Sequence, residues 1–150
     1  MGIFDSIFEK VKNFGEECIN ELKTMANKDL LEGVMAASVW VASANGEFKT
    51  EEKQKLLGYI GRSAELKVFK RKDVLDSFQR FASEFEFDQG IAEEKVKSAI
   101  MKIKDENQAR MLVRLCCAIG SADGDFDKSE KDVVKKICSI LRLSPNNFGL

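Results

Sequence analysis

The sequence predicts an all-α fold: about seven helices in one compact domain over residues 1–150, with an internally duplicated helix–turn–helix. Three observations predict it. Apolar residues recur at intervals of three and four along nearly the whole chain, and no stretch sustains the two-residue alternation of a strand. A single Pro, Pro145, interrupts the 150 residues. One acidic turn is written twice, as SANGEFKTEEK from Ser43 to Lys53 and as SADGDFDKSEK from Ser121 to Lys131.

The first helix is expected from Ile3 to Met25, where Ile3, Phe4, Ile7, Phe8, Val11, Phe14, Cys18, Ile19 and Leu22 share a face and Gly15 is the weak point. Acids outnumber bases there, the wrong sign for an anionic lipid surface, so core packing or a protein partner is the expected use of its Phe residues. The second helix runs from about Asp29 to Ala44, with the acid in its first turn. Its interior, VMAASVWVASA, is small and apolar, which places it at the centre of the bundle with Trp40 as an anchor. Asn45-Gly46 ends it.

A third helix starts near Thr50 and turns Leu56, Leu57 and Ile60 inward, before Gly61 and Ser63 punctuate the chain. SAELKVF reads as one helical turn, with Ser63 as its cap. From Arg71, the positions Val74, Leu75, Phe78, Phe81, Ala82 and Phe85 define the next helix. EFEFDQG closes it and opens another near Asp88, whose inward face is Ile91, Val96, Ala99, Ile100 and Ile103. Asp105 or Glu106 starts the next, with Met111, Leu112, Leu115, Ala118 and Ile119 inward. The last begins near Asp127, carries Val133, Val134, Ile137, Ile140 and Leu141, and stops at Ser144-Pro145.

The two acidic turns align without gaps, so the chain reads as two copies, residues 29–61 and 105–142, related by a pseudo-twofold axis. Much of the turn has a structural explanation. Gly46 and Gly124 permit a positive φ after a helix, and Phe48 and Phe126 plug between helices. Asp127-Lys128-Ser129-Glu130 has the spacing of a capping box. The second copy carries more acid than a cap needs: Asp123, Asp125, Asp127, Glu130 and Asp132 crowd together. A hard cation such as Ca²⁺ would relieve their repulsion, since it takes carboxylate oxygens in irregular geometry. The expected ligands are Asp123, Asp125, Asp127 and Glu130, with Asn45, Glu47 and Glu52 in the weaker first copy. The loop is not an EF-hand, because Lys128 stands where the sharp-turn Gly is required and Val134 where the bidentate Glu is required.

Composition narrows the function classes. Apolar residues make up 44% and charged residues 33%, yet the net charge is −1, so no basic excess suits nucleic acid. The chain has no His, which removes Ser-His-Asp and Cys-His catalysis and His-based zinc sites. Cys18, Cys116, Cys117 and Cys138 lack C-x-x-C spacing and are expected as free, core-packed thiols in a reducing cytosol. No apolar run reaches the roughly 18 residues of a membrane span. No signal peptide is expected, since Asp5 and Glu9 interrupt the start. The opening MGIFDS fits the short N-myristoylation pattern, for which coincidence is the expected reading.

The order and spacing of SANGEFKTEEKQK, SAELKVF, FEFD (Phe85–Asp88), SADGDFDKSEK and the ending NNFGL resemble the tellurite-resistance TerB family over nearly the whole chain. The resemblance implies an all-helical cytoplasmic protein of a stress-response system, peripheral at the inner membrane face through its partners. Those partners would be a TerC-like membrane protein and a TerD-like calcium-binding protein. It also implies metal-ion binding through acidic residues near the repeated turns and no enzymatic reaction. Asn45 departs from the Asp usual in the family's turn, which weakens a first-copy site.

Three functions follow from these readings. The first is a non-enzymatic, cation-binding interaction module for other resistance proteins. The alternative is thiol-based tellurite binding or reduction through Cys116 or Cys117. The third is acid catalysis by Glu84, Glu86 and Asp88, whose pKa values neighbouring Phe side chains would raise. No nucleophile accompanies those acids, so a solvated helix edge is the expected reading for them.

Overall fold

The structure is a computed structural model that describes residues 16–44, 50–62, 66–121 and 126–150. Among them run seven α-helices: α1 (Glu16–Met25), α2 (Lys28–Ala42), α3 (Thr50–Arg62), α4 (Arg71–Phe87), α5 (Gln89–Met101), α6 (Glu106–Ser121) and α7 (Lys128–Ile140). Two 3-10 turns occupy Leu66–Val68 and Pro145–Phe148. No strand occurs among the described residues. The all-helical expectation is met. The expected start of the first helix, the caps at Asn45-Gly46 and Ser63, Phe48, and the opening MGIFDS all lie outside the described residues.

Helix α2 is the axis of the bundle. Leu30, Leu31 and every residue from Gly33 to Val41 are buried, so the helix is covered all round, as its small apolar sequence requires. Helices α3, α4, α5, α6 and α7 all pack on it. Its start is set by Asn27, whose side-chain oxygen accepts the Leu30 N–H at 2.8 Å, with Asp29 in the first turn. Its buried hydroxyls are satisfied locally: Ser38 Oγ donates to the Val34 carbonyl at 2.6 Å and Ser43 Oγ to the Trp40 carbonyl at 3.0 Å. The helix ends at Ala42, two residues before the expected Ala44, because the Ser43 N–H and hydroxyl both fold back onto the last turn.

Two helix ends differ from expectation for identifiable reasons. In α5 the inward face is Ala92, Val96, Ala99 and Ile100, continuing into Ile103. Ile91 was expected on that face but is 46% exposed, since one residue earlier is a rotation of about 100° away from Ala92. In α7 the helix closes at Ile140, well before Ser144-Pro145. Arg142 takes a left-handed φ of 60°, the Leu143 N–H donates to the Cys138 carbonyl at 2.8 Å, and the Arg142 N–H donates to the Ser139 carbonyl at 3.2 Å. That bond pattern is a Schellman termination, here built on a residue with a Cβ. Pro145 opens the terminal 3-10 turn, which seats Phe148 in the core and ends at Gly149 with φ 75°.

Close approach between α2 and α6 depends on Gly33. A Cβ there would lie 3.0 Å from Leu112 Cδ1 and 3.3 Å from Ile103 Cγ1. We expect Gly33→Val to destabilise the protein by about 1–3 kcal/mol through overpacking, measured by urea unfolding. An unchanged midpoint would show that the crossing does not need the missing side chain.

Candidate functional site

Of the second acidic turn, the structure describes the stretch from Phe126 onward, which joins the core and a helix cap. Phe126 is 1% exposed and belongs to the core, so the chain is anchored just before α7 begins. Asp127 caps α7: its Oδ1 accepts the Glu130 N–H at 2.9 Å, and Glu130 Oε1 accepts the Asp127 N–H at 3.2 Å. The capping box read from the sequence is therefore present in both directions. Lys128 Nζ lies 3.1 Å from Asp132 Oδ2 one turn on, and Lys131 Nζ stands 6.0 Å from the centre of the Phe126 ring.

Of the expected ligands, the structure brings Asp127 and Glu130 together and commits one oxygen of each to the box. Asp123, Asp125, Asn45 and Glu47 lie outside the described residues, as does the side chain of Glu52 on α3. Among the described residues no group of three or more His, Cys, Asp or Glu is placed to hold a metal ion. Carboxylate oxygens are the donors a hard cation takes. Asp127 Oδ2 has no partner among the described residues and could be one of them.

The thiols sit in a different setting from the one tellurite chemistry requires. Cys116, Cys117 and Cys138 are free and buried, and the Cys18 side chain lies outside the described residues. Burial pushes the Cys116 thiol well above its ordinary value, and the neighbouring Cys117 and Cys138 push it the same way. Burial also pushes Cys138 up to about 11, against the lowering effect of a backbone hydrogen bond. Near neutral pH both are protonated, and the thiolate is the reactive form. They pack as small apolar residues.

The acids considered for catalysis hold helices together. Lys95 Nζ donates to Glu84 Oε1 at 2.6 Å, joining α5 to α4. Lys53 Nζ donates to Glu86 Oε1 at 3.1 Å, joining α3 to α4. Asp88 ends α4 and caps α5, its Oδ1 accepting the Ile91 N–H at 2.9 Å.

Sequence reasoning missed one polar constellation. Glu32 on α2, with its side chain 16% exposed, accepts from the buried Ser77 hydroxyl and pairs with Arg80 Nη2 at 2.5 Å, both on α4. The signal was available: Glu32 is the single charge in LLEGVMAASVWV, and an acid there needs partners.

Comparison with known proteins adds identity to this geometry. The family described as "Tellurite resistance protein TerB" matches residues 31–150. A protein from Alcaligenes sp named "Tellurium resistance protein TerB" is 30% identical over 112 residues, which covers 75% of this chain and 92% of that protein. No solved structure matches the chain.

If the box carries the start of α7, Asp127→Ala costs about 1 kcal/mol and Asp127→Ser much less, read from thermal unfolding. Equal stability of Asp127→Ala and the parent chain would show that the carboxylate has no capping role.

Proposed function

The chain belongs to the TerB family of tellurite resistance proteins, and from that membership we propose that it serves tellurite resistance as a non-enzymatic interaction module whose duplicated acidic turns respond to a divalent cation. Its partners in this reading are other resistance proteins at the inner membrane face, a TerC-like membrane protein and a TerD-like calcium-binding protein among them. No helix among the described residues is long and apolar enough to cross a membrane, so contact with the bilayer would come through such partners.

One observation carries the interaction reading. Phe87 is 80% exposed at the corner between α4 and α5, and Ile91, 46% exposed, stands one turn further along the chain. Two large apolar side chains held in water at a corner between helices gain by being covered. Asp88 fixes that corner by ending one helix and capping the next, so the pair is presented without a loop to order on binding.

The cation reading is supported by carboxylate density. Asp123 and Asp125 precede a capped helix start where Asp127 and Glu130 already bring negative charge together. A cation drawing on Asp127 Oδ2 would tie the turn to α7 without breaking the box.

Calorimetric titration with Ca²⁺ and Mg²⁺ tests the cation half, and capture of partners by chain bearing Phe87→Ser tests the other. We expect heat and a raised melting temperature with millimolar cation, lost in the double variant Asp123→Asn/Asp125→Asn, and weaker partner capture with Phe87→Ser. No heat and no melting shift would remove the cation; identical capture by Phe87→Ser would remove the corner.

A further inference from the structure

A second surface is built differently from the Phe87 corner. Between α3, the Leu66–Val68 turn and α4 lies an open groove of about 410 Å³. Its floor is apolar, and three of the side chains lining it, Leu57, Phe69 and Leu75, remain half-buried. Lys67 and Arg71 stand in its wall.

Both charged residues in the groove's described wall are basic. Arg62, Lys70 and Lys72 neighbour Lys67 and Arg71 in sequence; all five are exposed, and none has an ion pair or hydrogen-bond partner for its side chain among the described residues. The chain as a whole carries a net charge of −1, so this concentration is local. It also runs against helix electrostatics. Lys70 is the N-cap of α4 and makes no side-chain cap, and Arg71 and Lys72 follow it. The start of a helix is its positive end and favours acids, so three cations there raise the local potential at a cost to folding. Asp73 is the acid that offsets it within the first turn.

From this pairing of apolar groove and unpartnered cations we propose that the groove binds an acidic, amphipathic segment of a partner protein, apolar side chains in the groove and carboxylates on the cationic rim. The inference deepens the interaction reading above and rests on it. A concave floor receives side chains from a peptide, whereas a bilayer surface calls for apolar groups that project outward. A carboxylate reaching Arg71 would also relieve the unfavourable charge at the start of α4.

Gly61 supplies a clean test. It lines the groove, and a Cβ added there meets nothing within 4 Å, so Gly61→Leu adds bulk at the groove from a position with open space around its Cβ. Lys67→Glu/Arg71→Glu reverses the rim at exposed positions. The probe is a fluorescein-labelled helical peptide with Leu at spacings of three and four and Glu elsewhere, followed by anisotropy on the full chain. Comparison arms use the same peptide with Lys in place of Glu, and phosphatidylcholine vesicles containing phosphatidylserine.

We expect saturable binding of the Glu peptide, weakened about tenfold or more by either variant and by added salt, with neither variant lowering the melting temperature. Equal binding of the Lys peptide, binding of vesicles without the peptide, unchanged affinity in both variants, or no binding at all would each overturn the proposal. In the last case, partner capture that still depends on Phe87 would leave the interaction reading standing and remove the groove alone.

Discussion

Burial of α2 on every side is the constraint from which the rest of the structure follows. A helix surrounded by five others must be narrow, apolar and free of unsatisfied polar groups, and α2 meets each condition with particular residues. Gly33 lets α6 approach, Ala36 and Ala37 keep the helix slim, and Ser38 and Ser43 return their hydroxyls to their own helix. Trp40, Met35 and the valines supply apolar area, each large side chain worth about 1.5–3 kcal/mol when fully buried. Glu32 is the exception, and its placement follows from the cost of burying a charge: Ser77 and Arg80 on α4 meet it, which also fixes how α4 crosses α2.

The start of α7 inherits its geometry from that packing. Helices α6 and α7 both lie on α2, and Phe126, just before α7, is buried in the core. With the backbone at Phe126 pinned, Asp127 can act as a cap and Glu130 can reach back to it. The same packing decides the chemistry of the thiols. Cys116 and Cys138 are inside because α6 and α7 turn their apolar faces to α2, and burial keeps them protonated. Reactivity towards a metalloid would require opening the core.

What was legible in the sequence was mostly local. Thr50 and Arg71 as helix starts, the division at Asp88, and the box of Asp127 with Glu130 depend on residues within a turn of one another, and spacing alone reveals them. The assignment to the TerB family was also legible, from the order of short motifs, and the family match covers residues 31–150. What failed depended on contacts between distant segments. Ile91 belongs by spacing to an inward face, but the phase of α5 turns Ala92 and Val96 into the core instead. The left-handed Arg142 carries no sequence signal, since that conformation usually falls to Gly. Partners of Glu32, Glu84 and Glu86 lie on other helices, so the sequence displayed the charges without their pairing. Of the candidate cation site, the sequence revealed the two acids that cap α7, and their commitment to the cap could be read from spacing. The lack of partners around Lys67 and Arg71 required the fold.

Hydrogen exchange of the α2 amides tests the central claim most directly. If burial of this helix underlies the whole bundle, the amides from Val34 to Val41 exchange only through global unfolding, with an opening free energy equal to that from denaturant titration. Exchange of those amides through a lower-energy opening, while α4 and α5 remain protected, would contradict it.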